Sequence, residues 1–122
     1  GEDTSLPYIR KAVAWLESHQ NPDGGFGERL DSYGNLAFAG IGPSNCYSTG
    51  LTVSALLAVG GNPDVIDRAV NYLLAQQDQS GLWPNDNVFL TTNAPLPFYR
   101  MPVDVWEAPL VALADYQQAR RA

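Results

Sequence analysis

The sequence repeats itself at an offset of 57 residues. The segment 68–83 aligns with the segment 11–26 without a gap, and self-similarity at a fixed period is characteristic of repeat proteins. Each segment has the pattern of an amphipathic helix that ends at a glutamine and is followed by a glycine and an aromatic residue. The residues of this structural repeat motif are Gln20, Gly24 and Phe26 in the first copy and Gln77, Gly81 and Trp83 in the second. The period therefore predicts two copies of one structural unit.

Two of the four predicted helices are amphipathic. Ser5 as the N-cap and Pro7 in the first turn predict a helix over about 6–19. Asn62 as an N-cap followed by a proline predicts another over about 63–77. Each carries one apolar stripe and one polar face, so both are expected to be half-buried, with the polar face in water.

The other two predicted helices are more apolar. The helix over about 47–59 is apolar around most of its circumference, so we expect it to be buried on nearly all sides. The helix over about 104–120 is expected to begin at a capping box of Asp104 and Glu107. Pro109 must either belong to the start of this helix or kink it.

The order of these helices indicates an all-α fold. Each unit reads as an outer amphipathic helix, a long loop and an inner apolar helix, and this alternation is what a double ring of helices, an α/α toroid, requires. We therefore expect one segment over 1–122, with repeats over about 6–60 and 63–120, that forms a partial α/α toroid. Two such hairpins cannot close a ring, and repeat units bury their apolar faces only by stacking. Apolar flanks are therefore expected to be left for a partner.

Composition excludes several classes of partner. The net charge is −6 with a single lysine, which argues against nucleic acid and against an anionic membrane surface, because both select for basic patches. No apolar run is long enough to span a bilayer. One cysteine excludes an internal disulfide and leaves the compartment open. The location is thus unknown from the sequence, with the cytoplasm favoured.

Four segments, over 20–28, 47–56, 91–99 and 110–116, resemble segments of the squalene-hopene cyclase and oxidosqualene cyclase superfamily, the class II terpene cyclases. The first reads Gln-Asn-Pro-Asp-Gly-Gly-Phe-Gly-Glu and is similar to the family's Gln-x-x-Asp-Gly-Gly-Trp-Gly-Glu segment. The repeated glutamine, glycine and aromatic residues resemble its QW motif. In order and spacing, nearly the whole chain is similar to the C-terminal end of such a cyclase.

The resemblance implies an isoprenoid substrate held in an apolar pocket. In this family an Asp-x-Asp-Asp motif protonates the substrate, and aromatic walls then hold the carbocation by cation–π attraction. Neither that motif nor Asp-Asp-x-x-Asp occurs in the sequence, so we assign no catalytic residue. By resemblance, Phe98, Tyr99 and Trp106 are the expected substrate-binding residues, with packing of the ring end as the alternative for Phe98 and Tyr99. Ala94 and Pro102 stand where the family tends to carry aromatic residues.

Other reactive side chains give weaker signals. His19 at a helix end favours an interaction with the helix dipole over a role as a base, and Cys46 has no evident histidine partner that would activate it. Prenyltransferase subunits of the same toroid class bind zinc, but one cysteine and one histidine do not make that site. No metal and no cofactor is therefore expected.

Three hypotheses about function follow. The first is a C-terminal cyclase-like segment that lines a hydrophobic isoprenoid pocket but needs the remainder of a cyclase. The second is a non-catalytic module that uses its apolar flanks to bind a partner subunit or a second copy of itself. The third, ranked last, is a complete small enzyme with unfamiliar acids.

Overall fold

The described part of the chain folds into four α-helices. The computed structural model describes residues 1, 3–85, 89–90, 98–99 and 102–122. Within them, two short 3₁₀ helices lie in the first long loop, and two strands of two residues pair antiparallel, with Phe89 opposite Tyr99. These strands are too short to alter the class, which is all-α. The helices are α1 (Pro7–Ser18), α2 (Cys46–Val59), α3 (Pro63–Gln76) and α4 (Pro102–Arg121), the 3₁₀ helices are Leu30–Tyr33 and Leu36–Phe38, and the strands are β1 (Phe89–Leu90) and β2 (Phe98–Tyr99).

Two of the expected helix starts are wrong. The N-cap of α1 is Leu6, which makes no side-chain capping bond, because Pro7 already fits the first helical turn without a backbone N–H. In the same way α4 begins at Pro102, so Asp104 lies inside the first turn and is not the N-cap. Pro109 lies in the interior of α4 and does not start it.

The two helices in the middle of the chain, α2 and α3, each begin at an asparagine N-cap. The side chain of Asn62 accepts a hydrogen bond from the backbone N–H of Asp64 at 2.9 Å, as expected for the N-cap of α3. Asn45 caps α2 by accepting from the backbone N–H of Ser48 at 2.8 Å. Each side chain satisfies one of the N–H groups that a helix start leaves without a partner.

The inner helices α2 and α4 pack closely where a glycine replaces a side chain. A Cβ atom at Gly50 would lie 2.6 Å from the carbonyl carbon of Ala108 and 2.7 Å from the nitrogen of Pro109. Outer helices α1 and α3 cover this pair. The buried cluster that they form includes Val13, Val53, Leu56, Ile66, Ala69, Val70, Leu73 and Ala112.

Burial of α2 is less complete than its composition indicates. Val53 and Leu56 are fully buried, but Leu51 is 50% exposed, and Ala55 and Ala58 are exposed as well. These three residues recur at helical spacing, so α2 presents one apolar stripe that nothing in the described part of the chain covers. The expectation of burial on nearly all sides is therefore wrong for this stripe.

No membrane-spanning element is found among the helices that the structure describes, since none combines the necessary length with the necessary apolar character.

Replacing Gly50 by alanine is expected to destabilise the fold. Alanine gains about 1 kcal/mol over glycine in a helix interior, but the new methyl group would meet backbone atoms of α4, and overpacking of this kind costs about 1–3 kcal/mol. Because the contact is with backbone atoms that cannot turn aside, the cost should lie at the upper end of this range. We therefore expect a net loss of about 2 kcal/mol in the free energy of unfolding, measured by chemical denaturation. Gly34→Ala is the control, because a Cβ there has its nearest neighbour at 3.9 Å. Equal stability of the two variants would contradict the close packing of α2 on α4.

Candidate functional site

Equivalent turns follow the two outer helices. Gly24 and Gly81 have φ angles of 90° and 88°, a left-handed conformation that glycine adopts without a steric penalty. The Gln20 side-chain amide donates to the carbonyl of Gly24 at 2.9 Å, and Gln77 donates to that of Gly81 at 2.9 Å. The repeated glutamine and glycine thus form the same hydrogen-bonded turn twice.

The backbone of the turn repeats as well. The N–H of Asn21 donates to the carbonyl of Gly25 at 2.9 Å, and the N–H of Asp78 donates to that of Leu82 at 2.8 Å. In the second turn, the hydroxyl of Ser80 donates to the Asp78 carboxylate at 2.6 Å. This bond, and then the Leu82 backbone N–H, hold the pKa of Asp78 below its ordinary value.

Within the described part of the chain, only the first turn has a glutamine that bonds to the next outer helix. The Gln20 amide also donates to the carbonyl of Val65 in the first turn of α3, at 2.8 Å. Beside it, the Glu17 carboxylate accepts from the backbone N–H of Asn62 at 2.7 Å. We call the bonds of Gln20 to Gly24 and Val65 the inter-repeat clasp, because they connect the outer helix of one unit to that of the next.

The motif aromatics are buried and serve as anchors for the inner helices. The carbonyl of Phe26 accepts from the backbone N–H of Asn45 at 3.0 Å, just before α2. The residue 57 positions after Asn45 is Pro102, which has no N–H. In the second unit, the carbonyl of Trp83 accepts instead from the indole N–H of Trp106 at 3.1 Å.

The expected substrate-binding residues are only partly described. Phe98 and Tyr99 form β2, but their side chains lie outside the described part of the chain, as does the expected cyclase-like loop over 91–97. Trp106 is half-buried, packs against the core cluster and donates its N–H to Trp83. The contacts of Trp106 are thus those of an anchor for α4, and substrate binding by these three residues stays a prediction.

A groove between the inner helices is one candidate for an apolar binding surface. This α2–α4 groove encloses about 370 Å³. At its polar edge, Ser54 donates to the carboxylate of Asp115 at 3.0 Å, which ties α2 to α4. The lining residues are Tyr47, Leu51, Ser54, Glu107, Ala108 and Val111.

Sequence reasoning did not single out these lining residues. The sequence places Leu51 and Val111 in apolar helices but does not say whether they lie on a buried or an open face. A helix that is apolar all round gives no indication of which side stays open. The only available signal was indirect: unpaired inner helices of an incomplete ring must leave one apolar face uncovered.

His19 and Cys46, the other reactive side chains considered above, make packing contacts and backbone hydrogen bonds. His19 lies against Trp15, with ring centroids 4.1 Å apart, and its Nδ1 is 2.7 Å from the Trp15 carbonyl oxygen. Cys46 is fully buried at the start of α2. Among the residues that the structure describes, no three His, Cys, Asp or Glu side chains group into a metal site.

Trp106→Phe is expected to destabilise the protein more than Trp15→Phe. The first change leaves the carbonyl of Trp83 without its donor, and an unsatisfied buried group costs about 1–3 kcal/mol. The second removes the same atoms from a side chain that is 45% exposed and should cost less than about 1 kcal/mol. Thermal unfolding of both variants measures the difference. Equal losses would show that the indole N–H of Trp106 does not anchor α4.

Comparison with known proteins identifies the family of the chain. Residues 1–118 match the squalene-hopene cyclase C-terminal domain family. The chain is 39% identical to a squalene–hopene cyclase of Zymomonas mobilis subsp. mobilis, over 93% of this chain and 18% of that protein. It is 40% identical to a squalene–hopene cyclase of Bradyrhizobium diazoefficiens over the same shares. Human lanosterol synthase is 30% identical over 71% of this chain and 12% of that enzyme.

The chain therefore spans less than a fifth of the length of these bacterial relatives. The family model that it matches describes the C-terminal domain of squalene-hopene cyclases. The family assignment rests on a match over nearly the whole chain, and it agrees with the all-α fold. The chain belongs to the squalene-hopene cyclase family, as its C-terminal domain.

Proposed function

We propose that this chain is the C-terminal wall of an isoprenoid cyclase, and that the rest of such an enzyme supplies the acid that starts the reaction. The wall consists of the α2–α4 groove and, by the resemblance, of Phe98, Tyr99 and Trp106. Its substrate is a polyprenyl hydrocarbon of the squalene type. The observation that carries the proposal is the family match over residues 1–118, because it covers nearly all of the fold described above.

The character of the groove supports a hydrocarbon ligand. Leu51 and Val111 are 50% and 44% exposed in the isolated chain, and burying such side chains against a hydrocarbon is favourable by about 25 cal/mol for each Å² removed from water. Tyr47 adds an aromatic ring at the same surface. An aromatic face can also attract a carbocation that forms nearby.

The absence of a protonating motif from the sequence supports the need for further protein. Protonation of an alkene needs a strong acid that is held in its protonated form, and enzymes obtain this by burying a carboxyl group or placing it beside another. Glu107, the carboxylate that lines the groove, is exposed. We therefore expect no cyclisation by the chain alone.

A second candidate function is that of a non-catalytic interaction module. The exposed Leu74 and Leu110 favour it, since both are large apolar side chains on one flank of the fold. A complete small enzyme ranks third, because it would need an acid that the groove does not provide.

A chimera tests the proposed function. This chain would replace the matching C-terminal portion of the Zymomonas mobilis squalene–hopene cyclase, and both the chimera and the isolated chain would be incubated with squalene. We expect cyclic product from the chimera and none from the chain, measured by gas chromatography with mass spectrometry. Val111→Asp in the chimera should abolish product, because it places a charge in the groove. Leu36→Asp is the matched control, since Leu36 is exposed and lies outside the groove.

Product from the isolated chain would contradict the proposal and favour a complete small enzyme. A chimera that folds but yields no product would favour the interaction module. Equal activity of the two aspartate variants would remove the α2–α4 groove from the substrate site.

A further inference from the structure

One carboxylate lines the α2–α4 groove. Among the lining residues given above, Glu107 alone is ionised at neutral pH, whereas Leu51, Ala108 and Val111 give the groove an apolar body. No basic side chain belongs to this lining. A negative charge therefore lies at a largely apolar surface, with no positive charge in the lining to balance it.

Two contacts show where Glu107 lies along the groove. A Cβ atom at Gly50 would meet Ala108. Ser54, which follows Gly50 in α2, bonds to Asp115, which follows Ala108 in α4. Because the contacts advance in the same direction along both helices, α2 and α4 run parallel. Glu107 precedes Ala108 and therefore lies towards the end of the groove where both helices begin.

Aromatic residues reach the same end of the groove. Tyr47, which lines it, is the second residue of α2. The strand β2, formed by Phe98 and Tyr99, is connected to the first turn of α4 by only two residues. Aromatic faces attract cations, so a carbocation held by aromatic residues at this end would lie near Glu107.

The carboxylate of Glu107 is available to a group that enters the groove. Within the part of the chain that the structure describes, it forms neither a hydrogen bond nor an ion pair. Asp115, at the polar edge of the groove, differs in this respect, because it accepts the hydroxyl hydrogen of Ser54 at 3.0 Å. Glu107 is therefore the carboxylate whose oxygens can contact a ligand.

Enclosure of the groove makes this carboxylate costly unless a positive charge faces it. An ionised carboxylate loses its hydration when it is covered, and its burial without a partner is strongly unfavourable. A neutral hydrocarbon offers no compensation, but a carbocation formed from it does, because opposite charges attract strongly in apolar surroundings. A charge at position 111, one helical turn further into the apolar body, lies instead against neutral hydrocarbon.

We propose that Glu107 is the base that ends the cyclisation, an inference that rests on the proposed function. Its carboxylate takes a proton from the carbon next to the cationic centre, and the electron pair of that C–H bond becomes the new C=C bond. The resulting carboxylic acid then releases the proton to water. The proton that the substrate gains at the start is thereby returned, and the product is an isomer of the substrate.

The competing end of the reaction is addition of water to the cation. Water forms a C–O bond with the cationic carbon and releases a proton, so that the product is an alcohol. The ratio of cyclic alkene to cyclic alcohol therefore reports whether a base or water ends the reaction. A residue with a merely structural role would change the total product without changing this ratio.

Glu107→Gln in the chimera described above tests the base. The carboxamide keeps the size of the side chain but is a far weaker base, so we expect the alkene-to-alcohol ratio to fall at least about tenfold. Glu107→Asp keeps a carboxylate and should largely restore the ratio. Asp64→Asn is the matched control, because it makes the same chemical change at an exposed position of α3 outside the groove. Gas chromatography with mass spectrometry measures both products, and thermal unfolding shows that each variant is folded.

A second experiment uses the isolated chain and does not depend on cyclisation. Protonated N,N-dimethyloctylamine carries a positive charge on an apolar chain, as the carbocation does, and octanol is its neutral counterpart. Binding of each to the ¹⁵N-labelled chain is measured from NMR chemical-shift changes. We expect Glu107→Gln to raise the Kd of the amine about threefold or more and to leave that of octanol within about twofold. Asp64→Asn should change neither.

The outcomes separate this inference from the proposed function. An unchanged alkene-to-alcohol ratio in an active Glu107→Gln chimera would overturn the inference and leave the proposed function standing. Loss of both products from a folded Glu107→Gln chimera would also overturn it, because the carboxylate would then act before the final step. An inactive unsubstituted chimera would refute the proposed function. Amine binding that ignores Glu107→Gln would refute the inference whether or not the chimera is active.

Discussion

The fold depends on the carboxamide of Gln20. One side chain closes its own turn at Gly24 and fixes the first turn of α3 at Val65, so it determines where the second unit begins relative to the first. Glu17 reinforces the junction by accepting from Asn62. These bonds hold the start of α3 beside the end of α1, and the apolar face of α3 packs into the buried cluster with α2.

Equivalent positions of the two units form hydrogen bonds in both, but the donor and acceptor groups differ. Arg10 of α1 donates to the carbonyl of Val59 at the end of α2, while at the equivalent positions Tyr116 donates to Asp67 at 2.7 Å. The backbone N–H of Asn45 donates to the carbonyl of Phe26, and the indole N–H of Trp106 donates to that of Trp83, the equivalent aromatic residue. What recurs is a hydrogen bond between the outer and the inner helix of each unit at a fixed place.

Much of the fold could be predicted from the sequence, because periodicity and caps are local signals. The repeat, the four helices and the cap at Asn62 depend on residues close in sequence. The failures at Ser5 and Asp104 arose because prolines at the first helical positions start α1 and α4 without those side chains. The anchoring contact of Trp106 could not be foreseen, since its partner Trp83 lies 23 residues away in the sequence. The open stripe of α2 could not be foreseen either, since it depends on which side of the helix the distant helices cover. The α2–α4 groove was missed for the same reason.

The exchange of the two motif carboxamides with solvent tests the central claim most directly. Side-chain amide hydrogen exchange of Gln20 and Gln77, followed by NMR on uniformly ¹⁵N-labelled chain, compares the joined turn with the open one. Both hydrogens of Gln20 are bonded and should exchange slowly, whereas Gln77 should show one protected hydrogen and one that exchanges at the rate of an exposed amide. Equal, fast exchange of both hydrogens at Gln20 would show that the inter-repeat clasp does not hold the two units together.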